Sequence, residues 1–176
     1  MAHPRVEQLR SARREFARGL AGISPEVAGR ELGQMNSIGW MVAHLAWHEQ
    51  VSWLTRAQGI TPFPWLVEMG ASGGTKSNPD FDEALDTWRQ VCALSDPWLD
   101  QLTPAGLRGF SGKPFGVPQD VGTALLRMTY HYFVHGGEAS AIRQVVEGGA
   151  LPEFIGVIQV EAPWRPEPID DAVAAE

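Results

Sequence analysis

Residues 37–48 read Ser37-Ile38-Gly39-Trp40-Met41-Val42-Ala43-His44-Leu45-Ala46-Trp47-His48. Apolar residues occupy almost every position, so a helix built from this stretch has no wide face suited to water and belongs inside a bundle. Asn36 is the expected N-cap, and Gly59 and Pro62 close the segment, giving a helix over about 37–57.

Three further segments carry helical periodicity. The first runs from about Arg5 to Leu20, with Val6, Leu9, Phe16 and Leu20 on its apolar side. Another follows Asn78-Pro79-Asp80, where Asp80 or Asn78 can cap, and continues through Phe81, Leu85, Trp88, Val91, Cys92 and Leu99. Pro97 inside it predicts a kink or break near Asp96. The last starts between Pro118 and Asp120 and runs to Glu147, ended by Gly148-Gly149. The expectation is an all-α four-helix bundle over residues 1–150 with long loops, followed by an extended C-terminal tail over 151–176.

Two connections are long. Residues 59–79 mix Pro62, Pro64, Gly70, Gly73 and Gly74 with Phe63, Trp65, Leu66 and Met69. Such a loop is either a lid over a site or a plug for one end of the bundle. Residues 103–119 form a second Gly/Pro-rich connection. In the tail, residues 154–160 look β-like and suggest a strip lying on this subunit or on a partner, and Asp170 to Glu176 look disordered.

Composition narrows the function classes. The chain has 176 residues, enough for one core, and a formal charge of −7 from 21 acidic and 14 basic residues. Lysine occurs only at Lys76 and Lys113, and the basic residues are dispersed, which argues against a nucleic-acid or membrane surface. No apolar run reaches the roughly 20 residues of a membrane span, and the N-terminus lacks a secretory layout. Cys92 is the single cysteine, so no internal disulfide can form and a cytoplasmic setting is expected. It reads as a core residue, and Arg143 as the partner of a carboxylate. Trp40 and Trp47, seven apart, share a face as a buried seam would require.

Four of the five histidines form two i, i+4 pairs, His44 with His48 and His131 with His135. Residues four apart on a helix are neighbours, so two imidazoles can converge on one ion and a third can come from the other helix. Buried imidazoles need partners, and a shared divalent metal would satisfy three at once. Glu138 is three residues beyond His135, placed to orient a ligand from behind or to act as general base toward water activated by the ion. An uncoordinated network of imidazoles with Glu49 and Glu138 is the structural alternative.

At these residues the chain resembles the DinB/YfiT-like superfamily of metalloenzymes. The stretch from Asn36 to Ala46 is similar to the family's second-helix motif ending in His-Leu. The stretch from Tyr130 to Gln144 is similar to its last-helix pattern of His, three residues, His, then Gly-Glu and an apolar-Arg step. Phe81 to Trp88 is a weaker match to the third helix. The resemblance implies a bundle of unusual connectivity, frequently a homodimer, and zinc or nickel bound by His44, His131 and His135. His48 is an addition to the pattern, as an extra ligand or a residue behind the ligands. The resemblance also implies a transferase or isomerase acting on a small-molecule electrophile with a low-molecular-weight thiol. A metal-dependent hydrolase and a non-enzymatic metal-binding or stress-related bundle are the alternatives. The aromatic excess, seven Trp, and the apolar tail also point to a homodimer.

Overall fold

A computed structural model describes residues 2–73, 77–153 and 155–166. Four long helices make the body: α1 (Pro4–Gly19), α3 (Ile38–Glu49), α5 (Phe81–Leu99) and α7 (Val121–Glu147). Short helices sit between and after them: α2 (Pro25–Ala28), α4 (Trp65–Met69), α6 (Pro104–Leu107) and α8 (Ile158–Glu161). The helix after α3 continues without interruption as a π-helix over Gln50–Arg56. α3 packs chiefly on α5, and α1 on α7.

Each long helix starts where a side chain accepts from a backbone N–H that has no partner within the helix. Asp80 accepts from Glu83 at 2.9 Å and Asp120 from Thr123 at 2.6 Å. On α3 the cap is Ser37, not Asn36: its Oγ accepts from Trp40 N at 3.1 Å. The same hydroxyl donates to Asn78 Oδ1 at 2.7 Å, so Asn78 ties the start of α3 to the segment before α5 rather than capping its own helix. α7 ends at Gly148 in the left-handed conformation, φ 64°, which glycine adopts without a Cβ penalty.

Pro97 does not break α5, which runs on to Leu99. It stands in the last turn, so the missing N–H removes one helical bond close to the end. Phe154 lies outside the described residues, and residues 155–160 are not a strand. Among the described residues the β-pairing is a single bridge between Phe110 and Asp120, so an alternating stretch finds no sheet to join. Instead Ile158–Glu161 is helical, and Glu161 anchors it to α1: its carbonyl accepts from Arg14 Nη2 at 2.9 Å and its carboxylate pairs with Arg18. The tail thus lies on its own subunit where Ile155 and Glu161 bond to α1; Asp170 to Glu176 are outside the described residues.

The core is built from Val6, Leu9 and Phe16 of α1, Ile38, Val42 and Leu45 of α3, Ala84 and Val91 of α5, and Leu125, Tyr132 and Ile142 of α7. One polar network runs through it. Arg13 on α1 donates to both oxygens of the fully buried Glu49 on α3, at 2.8 and 2.6 Å, and to Asp96 on α5 at 2.9 Å. Tyr132 on α7 donates to Glu49 at 2.7 Å and accepts from Trp88 Nε1 on α5 at 2.7 Å. All four long helices therefore meet at one clamp. Glu49 belongs to it and not to an imidazole network. Burial pushes the Cys92 thiol, beside Tyr132, well above its ordinary value, as suits a core residue. Arg143 pairs with Glu147 at 2.9 Å and also donates to the carbonyls of Gly19 and Ala21, closing the end of α1.

Candidate metal centre

α3 and α7 each present two kinds of neighbour side by side. On α3, His48 precedes Glu49; on α7, His131 precedes Tyr132. Consecutive helical residues point about 100° apart, so the clamp between Glu49 and Tyr132 sets the histidines on an adjoining pair of faces. There the four imidazoles meet. His44 and His131 have ring centroids 4.9 Å apart, His131 and His135 4.6 Å, His44 and His48 4.7 Å, and His48 and His131 4.5 Å.

His131 Nε2 lies 3.2 Å from His44 Nε2 and 2.9 Å from His135 Nε2. The opposite nitrogens are already engaged. His44 Nδ1 lies 2.6 Å from the Gly70 carbonyl, an acceptor only, so that nitrogen carries the proton. His135 Nδ1 lies 2.6 Å from Glu138 Oε2 and carries its proton for the same reason. Two neutral rings thus aim Nε2 lone pairs at His131, whose own Nε2 can donate one proton at most. One of the two contacts would then set acceptor against acceptor, unless a cation lies between them. Donors about 2.0–2.1 Å from one ion stand about 2.9–3.4 Å apart in octahedral or tetrahedral arrangements, and the two spacings here fall in that range. The residues fit a divalent metal.

Two triads share His44 and His131. In one, donor atoms of His44, His48 and His131 all lie within 4.8 Å of one another; in the other, His135 joins through its Nε2, 2.9 Å from His131 Nε2. All four sequence candidates are brought together, and Glu138 stands behind His135 with its side chain half-exposed.

Burial keeps the rings neutral. It lowers His44 to about 4, against the upward pull of the Gly70 carbonyl. His131 falls to about 3 through burial and then the charges of His135, His44 and Arg127. His48 falls to about 2, through burial first and then His44, His131 and Arg127. His135 is lowered by burial, with Glu138 opposing. Neutral imidazoles are the form that binds metal.

Three contributors escaped the sequence reading. Gly70 ends α4, the short helix in the 59–79 loop, and its carbonyl orients His44. A Cβ at Gly70 would lie 2.6 Å from the Ala43 carbonyl oxygen, so only glycine allows this approach. The loop is accordingly a plug: Leu66 is fully buried, and Gln50 clips Phe63 through both its backbone N–H and carbonyl, at 2.9 and 3.0 Å. Trp40 and Trp47 do not form a buried seam. They are half-buried and stack on the two sides of His44, at centroid distances of 4.4 and 5.9 Å. The third contributor is an open cavity of about 200 Å³ beside His48 and His131.

Among the described residues no helix is long and apolar enough to cross a membrane. No curated protein matches the chain. Among solved structures it is similar to a conserved protein from Enterococcus faecalis, with a TM-score of 0.59 at 20% identity over 82% of this chain and 96% of that one. That likeness concerns the fold. The family model of the DinB superfamily matches residues 8–139, spanning all but the end of α7 among the long helices that build the centre. The chain belongs to the DinB superfamily.

Proposed function

We propose that the protein is a divalent-metal-dependent enzyme in which His44, His131 and His135 hold the ion, zinc or nickel. In this reading it transfers or isomerises a small electrophile with a low-molecular-weight thiol as cosubstrate. The observation that carries the metal reading is the convergence of the His44 and His135 lone pairs on His131. The thiol rests on the resemblance of the two helix motifs. When bound, the ion would supply a positive charge able to hold a thiol as thiolate or to polarise a carbonyl.

The chain's own groups do the rest. The Gly70 carbonyl and Glu138 hold two imidazoles in the tautomer that exposes Nε2. Trp40 and Trp47 wall His44 away from water. His48 lines the cavity and is held neutral there by burial. Glu138 is a positioning residue through His135, and its half-exposed carboxylate is the candidate proton acceptor. Exposed Tyr130 and Val134 on α7 and Trp164 in the tail support a homodimer. The lone cysteine supports a reducing, cytoplasmic setting.

One observation favours a second reading. His48 lies close enough to His44 and His131 to complete four ligands, and closed four-ligand sites are structural. The test is His48→Ala against Glu138→Gln in untagged protein, followed by a melting-temperature screen of low-molecular-weight thiols. The enzymatic reading expects His48→Ala to keep its metal and fold, and thiols to raise Tm. Metal loss and a lower Tm in His48→Ala, with no thiol response, would establish the structural site instead.

A further inference from the structure

The cavity beside the histidines is built by two ladders of residues four apart. His44, His48, Ser52 and Arg56 follow one another along α3 and its π-helical continuation; Arg127, His131 and His135 follow one another along α7. The ladders run in opposite directions, since His44 meets both His131 and His135, whereas His48 meets His131. Beyond the imidazoles, each ladder therefore ends in an arginine on the same side. Both arginines line the cavity, with His48, His131, Ser52 and Gln119.

The charge of this cavity opposes that of the protein. The chain carries 21 acidic and 14 basic residues, yet among the described residues lining the cavity there are two arginines and no carboxylate. The loop opposite is shaped to hold one of them. Gly112, at φ 111°, passes so close that a Cβ there would lie 3.2 Å from Arg56 Nε. At about 200 Å³ the space is below the ~300–1,000 Å³ of clefts for drug-sized ligands, which limits the occupant to a small molecule.

We infer that this cavity is the substrate pocket of the histidine centre and that it selects a small organic anion, with Arg56 and Arg127 gripping its carboxylate or phosphate group. Guanidinium forks match both oxyanions by paired hydrogen bonds. The inference deepens the metal-enzyme reading and rests on it for the word substrate. The anion grip belongs to the arginines and survives removal of the ion.

The test is calorimetric titration of malonate and of inorganic phosphate into zinc-loaded protein and into chelator-stripped protein, with intrinsic tryptophan fluorescence as second readout. Whichever anion binds identifies the oxyanion class. Binding should persist in the stripped protein and weaken about ten-fold or more in Arg56→Gln and in Arg127→Gln, because a hydrogen bond to a charged group contributes roughly 1.5–3 kcal/mol. It should also weaken as salt is added, and uncharged dimethyl malonate should not bind. Arg56 is exposed, so Arg56→Gln keeps the fold and decides the matter if Arg127→Gln does not fold. Binding of neither anion, or binding unchanged in Arg56→Gln, would overturn the inference. Failure of the metal reading shows separately, as absence of metal in the wild-type protein.

Discussion

The Tyr132 hydroxyl donates to Glu49 at 2.7 Å, joining α7 to α3 through the residues next to His131 and His48. This bond is the shortest path by which the packed interior fixes the rotation of one histidine helix against the other. Tyr132→Phe should leave the fold intact but cost about 1–3 kcal/mol, because the buried Trp88 Nε1 loses its partner and Glu49 Oε1 keeps only Arg13 Nε. Urea denaturation checks the stability. A chelator competition should show weaker metal retention as well, since the helices are freer to rotate.

Glu49 itself is the deeper test of the clamp. Glu49→Ala would leave the Arg13 guanidinium buried with Asp96 as its remaining described carboxylate, and breaking a buried pair costs about 3–5 kcal/mol. Glu49→Ala should therefore lower the denaturation midpoint much more than Tyr132→Phe does. Equal effects would show that Asp96 compensates.

Gly70→Ala probes the plug. The new methyl would collide with the Ala43 carbonyl, so either α4 retreats or α3 shifts, at about 1–3 kcal/mol for overpacking. Either response withdraws the carbonyl from His44 Nδ1. Metal affinity should fall about 10–100-fold, the usual effect of losing a group that orients a ligand. Glu138→Gln should weaken affinity within the same range, by the same logic at His135, when measured against a graded series of chelators.

The depressed histidines set a pH window for the metal-free protein. An unfolded histidine titrates near 6.5, whereas His44 is held at about 4, His131 at about 3 and His48 at about 2. Above the unfolded value both states are neutral and these groups contribute no pH dependence. As pH falls through 6.5 the unfolded chain takes up protons that the native chain refuses, so stability drops down to the folded values. Tm of metal-free protein should fall steadily from pH 7 to pH 4.5, and Ala at both His44 and His131 should flatten that slope. A slope unchanged in the double variant would show that other groups cause it.

The long helices and the histidine pairing were legible in the sequence because periodicity and i, i+4 spacing are local properties. The residues before α3 and α5 were harder: Asn36 and Ser37 are both good caps, and the choice turns on Asn78, far along the chain, engaging Ser37. The 154–160 alternation suggested a strand, but a strand needs a neighbour, and among the described residues the only β-pairing is the isolated Phe110–Asp120 bridge. Gly70 looked like an ordinary loop breaker. Its role depends on a contact with His44 across 26 residues, which no local pattern encodes. Trp40 and Trp47 were read as a seam from their own spacing, although His44, four residues after one and three before the other, is spaced to lie between them.

The central claim is that imidazoles from α3 and α7 share one divalent ion. Its most direct measurement is elemental analysis of untagged, dialysed protein, wild type beside His131→Ala, with circular dichroism to confirm that both are folded. His131 Nε2 is the atom on which the other two lone pairs converge. The account predicts about one zinc or nickel per chain in the wild type, since one cluster of three donors holds one ion, and background levels in folded His131→Ala. Wild-type protein without stoichiometric metal after loading, or His131→Ala that keeps a full complement, would contradict it.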